Sequence, residues 1–341
     1  MSGVGGTGGV APGCDDTCPF ESGVLSACKL RFMYGVNYAW QNFAADFGGG
    51  TRGITATKST IQANFAEMAQ NGVNVVRFWV WPNFSGGGVA FDGGGTPTGL
   101  TGTTLADLET ALSLANDNDL YLMPTLFSFD NFKSSINPSN QNMATLGVDA
   151  TKRAALVDNV VRPFARAAAA SAYKSRVIAW DVINEPEWAV TGASLYGDEA
   201  FDPDATCQAI SHAQMETLLT DVIAGLRQES DALITVGAAA MKWKKAWSML
   251  DQDFYQFHIY DWVNDYWPYD RSPAEYGLAD KPLVMGEFPP TGLSDASYRT
   301  MLDSWYGNGY AGALAWRDDS YKIDFPAVKS FADAHACETK Y

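Results

Sequence analysis

Short apolar segments rich in β-branched and aromatic residues alternate with helix-like segments along most of the chain, and this alternation limits the folds that the sequence can adopt. Eight segments have the length and composition of buried strands: 32–37, 73–80, 120–127, 177–183, 233–237, 254–260, 283–286 and 311–316. Alternating strands and helices form a parallel sheet, and eight such units close into a (β/α)8 barrel, the TIM barrel. An open doubly wound sheet is the alternative, but no glycine fingerprint for a nucleotide follows an early strand.

The segments between the strands carry helical spacing of apolar residues or the residue preferences of helix ends. They predict helices at 57–71, 105–118, 149–173, 207–229, 244–250, 273–276, 295–308 and 326–335. Pro163 should bend the third of these, because proline lacks the N–H that a helix interior needs. The connections at 82–103 and 187–203 are long, and the first is rich in glycine. We expect such long Gly- and aromatic-rich loops to border a cleft.

The chain ends differ in composition from the barrel segments. Residues 1–13 are glycine-rich and predict a disordered tether, followed by a single barrel domain over 14–341 with a cysteine-bearing lead-in at 14–30. The five cysteines are Cys14, Cys18, Cys28, Cys207 and Cys337. Their grouping near the two ends predicts disulfides that tie the ends to the barrel, with Cys207 left as a free thiol. The alternatives are unpaired thiols of a cytosolic protein and a zinc site built from the first three cysteines, although no histidine lies nearby in the sequence.

The acidic charge balance excludes several classes of partner. With 23 Lys and Arg against 39 Asp and Glu, the net charge of −16 is unsuited to binding nucleic acid or anionic membrane surfaces. The sequence contains no apolar run of the roughly 18 residues that a membrane-spanning helix needs. Met1 is followed directly by Ser-Gly-Val-Gly-Gly. We therefore expect a monomer that is secreted or tethered at the cell surface, and whose export signal is absent from this chain.

Two predicted strands end in glutamate. The run Val177–Ile183 is followed by Asn184-Glu185-Pro186, and Glu287 follows the seventh strand. The two glutamates are 102 positions apart in the sequence, which corresponds to three β/α units. The carboxyl ends of all strands meet on one face of a barrel, so both side chains should face the same bowl. A pair of carboxyl groups placed in this way can cleave a glycosidic bond, one as acid and base and the other as nucleophile.

Further polar side chains fall at the same strand ends. Arg77, in an apolar and aromatic strand, could keep Glu287 ionised through charge-assisted hydrogen bonds. Asn184 could bind a sugar hydroxyl beside the scissile bond, and His258 and Tyr260 could orient the two carboxyl groups. A single glutamate at a strand end more often forms a structural ion pair than a catalytic group, and it is the coincidence of these residues that favours a catalytic site.

This set of residues resembles glycoside hydrolase family 5 and its wider clan A. The resemblance rests on Asn184-Glu185-Pro186 after a fourth strand, Glu287 after a seventh, Arg77 on the second and His258-x-Tyr260 on the sixth. It covers residues 32–335 and implies a retaining mechanism, with Glu185 as the acid/base and Glu287 as the nucleophile. It also implies that Trp316, at the end of the eighth strand, forms the floor for the sugar before the scissile bond.

The aromatic residues indicate sugar binding but do not decide which β-glycan is the substrate. We expect Trp40, Trp188, Trp262 and Trp316 to contribute sugar subsites, within a wider set that also contains Trp79, Trp81, Phe129 and Trp267. The third strand lacks the histidine that many family 5 cellulases carry there, and the stretch Val76–Trp79 and the Trp40 loop are similar to those of mannanases. The sequence thus predicts an O-glycosyl hydrolase, endo-acting on β-1,4-mannan or β-1,4-glucan by double displacement, with a β-glycan as substrate and with no metal or cofactor.

Three other interpretations stay open at this point. A carbohydrate-binding barrel without catalysis would need neither the two carboxylates nor their arginine. Long loops that close one end of the cleft would make the enzyme exo-acting, and an aromatic acceptor side would favour transglycosylation. No G-x-S-x-G, H-E-x-x-H or P-loop motif points to another chemistry.

Overall fold

A computed structural model describes residues 16–317 and 322–341 of the chain. Eight parallel strands close into a barrel in sequence order, with each strand hydrogen-bonded to the next and the last to the first. They are β1 Met33–Asn37, β2 Val75–Trp79, β3 Tyr121–Ser128, β4 Ala179–Asn184, β5 Leu233–Ala238, β6 Tyr255–His258, β7 Leu283–Phe288 and β8 Gly312–Ala315. The predicted (β/α)8 barrel is therefore confirmed, and each of the eight predicted strands matches one of these within a few residues.

The helices of the described residues surround this barrel. They are α1 Lys58–Gln70, α2 Thr104–Asp117, α3 Met143–Val148, α4 Ala150–Leu156, α5 Arg162–Ala170, α6 His212–Glu229, α7 Asp261–Asn264, α8 Tyr298–Gly307 and α9 Phe325–Ala334. Ile61, Phe65 and Met68 of α1 illustrate how they pack, since these buried side chains repeat at helical spacing and face the barrel.

The predicted helix at 149–173 is divided. A π-helical segment at Val157–Val161 lies between α4 and α5, immediately before Pro163. Proline can donate no backbone hydrogen bond, which fits the irregular turn found just before it. The predicted start of the next helix at Cys207 is wrong, because the side chain of Ser211 caps α6 and the helix begins at His212.

Two short helix predictions are wrong. Residues 244–250 and 273–276 form turns. The first follows a 3-10 turn at Met241–Trp243, and the second is held by Leu278 N–H donating to the carbonyl of Pro273. Each segment is too short for helical spacing to outweigh the contacts of its loop.

The long connections carry structure of their own. The loop at 82–103 contains the hairpin Val89–Phe91 with Pro97–Leu100, and the lead-in contains Val24–Ser26 with Lys29–Arg31. Val190–Thr191 pairs with Ile210–Ser211 beside the opening of the barrel, and 3-10 turns lie at Gly50–Arg52, Phe129–Phe132, Lys174–Arg176 and Pro186–Ala189.

The two ends of the chain are tied together near the amino ends of the barrel strands, where Phe32 N–H donates to the carbonyl of Glu338. A disulfide joins Cys18 to Cys337, and Cys28 is also disulfide-bonded, whereas Cys207 is a free thiol. These bonds confirm the predicted disulfide between the ends and make the zinc alternative wrong. Cys14 and the predicted tether at 1–13 lie outside the described residues. Within the described part of the chain, no helix is long and apolar enough to cross a membrane.

Candidate active site

The end of β4 directs Glu185 into the mouth of the barrel. Glu185 has left-handed backbone angles (φ 50°, ψ 54°), and Pro186, which has no N–H to continue the sheet, starts a 3-10 turn. The N–H of Glu185 donates to the carbonyl of Gly237 on β5 at 2.6 Å. A residue with a side chain rarely adopts this conformation, and such strain is concentrated at functional sites.

Glu287 reaches the same mouth through an irregularity in β7. The register between β6 and β7 shifts after the pair Phe257 and Met285, so that His258 pairs with Glu287 and Gly286 is the extra residue. A Cβ atom at Gly286 would lie 2.3 Å from the side chain of Gln256, so this close approach requires glycine. Such an irregularity changes the direction in which the following side chain points.

The two carboxyl groups lie close together. Glu185, His258 and Glu287 each present a polar atom, and these atoms lie within 4.8 Å of one another. This closeness suits a retaining glycosidase, whose carboxyl groups are typically about 5–5.5 Å apart, better than an inverting one, whose carboxyl groups are typically about 6.5–9.5 Å apart.

Arg77 connects the floor of the site to Glu287. Its buried guanidinium donates from Nη1 to Glu287 Oε1 at 2.5 Å and from Nη2 to Asn184 Oδ1 at 2.9 Å. On its other side Nε donates to Asp181 Oδ2 at 2.7 Å, and Nη1 also donates to Asn37 Oδ1 at 2.9 Å. One rigid side chain therefore fixes four neighbouring groups.

His258, at the end of β6, and Tyr260, two residues after it, hold the two carboxyl groups in place. Nδ1 of His258 lies 2.8 Å from Glu185 Oε1, and the hydroxyl of Tyr260 donates to Glu287 Oε2 at 3.0 Å. Nε2 of His258 is buried and has no hydrogen-bond partner among the described residues. A proton there would have no acceptor, so the neutral ring carries its proton on Nδ1 and donates it to Glu185.

Burial shifts the pKa values of Glu185, Glu287 and His258. It raises the pKa of Glu185 to about 7, against the opposing effects of the Trp188 indole N–H and the charge of Arg77. It also raises the pKa of Glu287, where the positive charge of Arg77 acts in the opposite direction. Burial lowers the pKa of His258 to about 4, so that this imidazole is neutral near pH 7. Glu185 is thus able to hold a proton at a pH where an ordinary glutamate has lost it.

Aromatic side chains form the walls of the cleft, whose volume is about 340 Å³. On one side the rings of Trp40, Trp79 and Trp316 lie 5.1–5.9 Å apart. On the other, Trp188 donates from Nε1 to Glu185 Oε2 at 2.8 Å, and its ring lies 5.7 Å from that of Trp262. A larger cavity of about 800 Å³ shares Trp40 and Phe43 with this cleft but is lined by neither of the two glutamates.

The structure brings together the predicted site residues. Eight of them line the cleft: Trp40, Asn184, Glu185, Trp188, Tyr260, Trp262, Glu287 and Trp316. Arg77 and His258 lie beneath it in direct contact with the carboxyl groups. Of the wider aromatic set, Trp79 and Phe129 also line the cleft, whereas Trp81 is fully buried against Phe127 and Phe164.

Sequence reasoning missed four polar residues near the site. Asn37 and Asp181 bind Arg77, Asp130 lines the cleft, and Glu187 is buried behind Glu185. Asp181 and Asn37 had a detectable signal, since each is a polar residue inside an apolar strand. Asp130 and Glu187 lie in loops, where a charged residue is ordinary.

Glu185, His258 and Glu287 also form a group that could hold a divalent metal ion. Arg77 already occupies Glu287 Oε1, and Trp188 and His258 occupy the two oxygens of Glu185. Donors that are already aimed at the carboxyl oxygens suit an acid and nucleophile pair better than a set of metal ligands.

Comparison with known proteins agrees with this geometry. No family model matches the chain. It is 27% identical over 317 residues to a mannan endo-1,4-beta-mannosidase of the mussel Mytilus edulis, covering 84% of this chain and 83% of the relative. The mussel beta-mannanase structure matches with a TM-score of 0.71 at 25% identity, over 88% of this chain and 91% of that one. A beta-1,4-mannanase of the sea hare Aplysia kurodai shares the fold, with a TM-score of 0.77 at 21% identity over 92% of this chain and 95% of that one.

Proposed function

We propose that this chain, a family 5-like glycoside hydrolase of clan A, cleaves β-1,4-mannan at internal positions with retention of the anomeric configuration. The observation that carries the proposal is the pair formed by Glu185 and Glu287, with Arg77 bound to the second of them. A non-catalytic carbohydrate-binding barrel would have no use for this pair. The choice of mannan rests on the mannanases that the chain matches over most of its length.

In the first step Glu185 gives its proton to the glycosidic oxygen, and a Glu287 oxygen attacks the anomeric carbon. The bond from that carbon to the leaving oxygen breaks, and a glycosyl ester on Glu287 forms. In the second step Glu185 takes a proton from water, which displaces Glu287 and completes the double displacement. The neutral His258 donates to Glu185 and the Tyr260 hydroxyl donates to Glu287, so both carboxyl groups keep their orientation throughout.

The surrounding residues hold the sugar chain. Asn184 accepts a hydrogen bond from Arg77 at its oxygen, which leaves its NH2 group for a sugar hydroxyl. Trp316, Trp79 and Trp40 supply an apolar face before the scissile bond, and Trp188 and Trp262 supply one after it. Aromatic surfaces on both sides of the carboxyl pair suit a polymer that continues in both directions, as an endo-acting enzyme needs.

Two further expectations accompany this proposal. The Cys18–Cys337 disulfide suits an oxidising compartment and therefore a secreted protein. We also propose that the chain acts as a monomer.

A hydrolysis screen tests the proposed function. Purified protein is incubated with mannan, glucomannan, carboxymethyl cellulose and mixed-linkage glucan, and product lengths are followed with time. We expect mannan and glucomannan to be cleaved fastest, with a range of oligosaccharides appearing early and with β-anomers formed first by proton NMR. Glu185→Gln and Glu287→Gln should each lower turnover by about 100-fold or more. Cleavage of cellulose derivatives alone, or α-anomers as first products, would overturn it.

A further inference from the structure

Glu187 is a buried carboxyl group that the proposed mechanism does not use. It follows Glu185 by two positions, has 0% of its surface exposed and does not line the cleft. Its Oε2 accepts the backbone N–H of Ala239 at 3.0 Å, and its Oε1 accepts the indole N–H of Trp247 at 2.7 Å. Among the described residues no lysine or arginine forms an ion pair with it. Burying a carboxyl group costs free energy unless its oxygens are hydrogen-bonded, so the bonds from Ala239 and Trp247 determine where Glu187 lies.

The backbone of Glu185, two residues before Glu187, is in a strained conformation. Glu185 adopts a left-handed conformation and precedes a proline, a combination that is disfavoured unless the surroundings impose it. Its own N–H is bonded to the carbonyl of Gly237 at 2.6 Å. Ala239, which donates to Glu187, lies two positions beyond Gly237 at the end of β5. The turn is therefore attached to the end of β5 at two points, through the backbone of Glu185 and through the side chain of Glu187.

The second hydrogen bond of Glu187 connects it to Trp247, which packs in a cluster of aromatic rings. The Trp247 ring contacts His212 at a centroid distance of 5.0 Å and lies 6.4 Å from the Phe201 ring. His212 is itself fixed by Leu195 N–H at Nδ1 and by the Ala246 carbonyl at Nε2. A displacement of Glu187 would break bonds to two packed elements, so its position is well determined.

We propose that Glu187 is a positioning residue that sets the direction in which Glu185 delivers its proton, by fixing the Glu185–Pro186–Glu187 turn to the end of β5. This rests on the proposed function, because it concerns the proton transfer of that same site. Glu187 touches neither substrate nor the reacting atoms, and it acts through the backbone of Glu185.

Substrates that differ in their need for an acid test this role. A 2,4-dinitrophenolate leaves without a proton, whereas the alcohol of a natural mannan leaves only when Glu185 protonates it. The measurement is kcat/KM for 2,4-dinitrophenyl β-mannotrioside and for mannohexaose, because this parameter reports bond cleavage up to the glycosyl-enzyme. Glu187→Gln keeps the shape of the side chain, but its NH2 group cannot accept a hydrogen bond, so the bond from either Ala239 or Trp247 is lost while the amide oxygen keeps the other. Burial raises the pKa of Glu187 to about 8, so at pH 6 this substitution leaves the charge of the site unchanged.

We expect Glu187→Gln to lower kcat/KM for mannohexaose by about 100-fold and for the dinitrophenyl glycoside by less than about 3-fold. Trp247→Phe removes only the bond from the indole N–H and should show the same selectivity to a smaller degree. Asp107→Asn is the matched control: Asp107 is also fully buried and accepts backbone N–H groups, from Gly48 and Thr55, but it lies away from Glu185. It should affect both substrates equally.

Equal losses for the two substrates in Glu187→Gln, or no loss for either, would overturn the positioning role. Melting temperatures of all variants, measured in parallel, separate a folding defect from an altered site. If the wild-type protein cleaved neither substrate, the proposed function itself would fail, and this outcome is distinct from a failure of Glu187.

Discussion

The guanidinium of Arg77 lies between Glu287 and Asp181, with 2.5 Å from Nη1 to Glu287 Oε1 and 2.7 Å from Nη2 to Asp181 Oδ2. Its single positive charge is thus shared by two buried carboxyl groups. Asp181 also accepts from Gly237 N–H at 2.9 Å and from the Thr125 hydroxyl at 3.0 Å. These additional donors stabilise Asp181 independently, so Arg77 can still support the negative charge of Glu287.

Replacing Arg77 by lysine should disable the site. A lysine ammonium cannot reach Glu287, Asn184 and Asp181 together, whereas the planar guanidinium bonds to all of them. We expect kcat/KM on mannan to fall by about 100-fold and the free energy of unfolding to fall by about 3 kcal/mol, because a buried carboxylate loses its partner. Mannan hydrolysis and urea unfolding measure the two effects. Activity within a factor of about 3 of the wild type would contradict the role of Arg77.

The dependence of activity on pH should follow the protonation of Glu185. The acid must be protonated to act, and burial raises its pKa to about 7, so kcat/KM should decline as the pH rises through about 7. The indole N–H of Trp188 opposes this shift, because it stabilises the ionised form. Trp188→Phe removes that donor and should move the alkaline limb to higher pH. A limb that stayed in place or moved to lower pH would show that Trp188 does not tune Glu185.

The barrel and its main site residues could be predicted from the sequence because each carries a local signal. An apolar run that stops at Asn184-Glu185-Pro186 marks a strand end, and the topology then brings strand ends together whatever their separation along the chain. For the same reason Arg77 and Glu287 could be paired before their 2.5 Å contact was seen.

The contacts that depend on irregular backbone could not be predicted. The extra residue Gly286 in β7 and the left-handed angle of Glu185 leave no periodic pattern. Glu187 had no signal either, because the sequence places it in a loop and only the fold brings Ala239 and Trp247 to it. The helix predictions for 244–250 and 273–276 were wrong for a related reason, since loop contacts outweigh the weak helical preference of these short segments.

The stability of the protein should also change with pH because of Glu185. The pKa of Glu185 in the folded state, about 7, lies above the ordinary value of 4.5. The contribution of Glu185 to the free energy of unfolding is fully present below pH 4.5. It is lost as the pH rises through about 7, and the loss amounts to up to about 3 kcal/mol. Glu185→Gln cannot ionise, so it should melt at a higher temperature than the wild type at pH 8 and at a similar one at pH 4.5. Equal differences at both pH values would argue against a perturbed Glu185.

The two aromatic groups should affect the reaction differently. In the proposed arrangement Trp316 lies before the scissile bond and Trp262 lies after it, and 40% of the surface of Trp262 is exposed. Trp316→Ala should lower kcat/KM for polymer and for aryl mannosides alike. Trp262→Ala should spare aryl mannosides and reduce the transfer of mannosyl units to added mannobiose, measured by product analysis. The assignment of the two sides would be reversed if Trp316→Ala affected only the transfer.

Breaking the Cys18–Cys337 disulfide should destabilise the protein without changing its chemistry. The bond joins residues 319 positions apart, so its loss frees the ends of the unfolded chain. The ion pair of Arg31 with Asp16 and the bond from Arg31 Nε to the Lys340 carbonyl hold the same region and limit the loss. We expect Cys18→Ser with Cys337→Ser to lower the free energy of unfolding by about 2–4 kcal/mol and to leave kcat unchanged at 25 °C. Cys207→Ser is the control, since Cys207 is a free thiol, and it should leave both values unchanged. A double variant as stable as this control would show that the other contacts alone hold the chain ends.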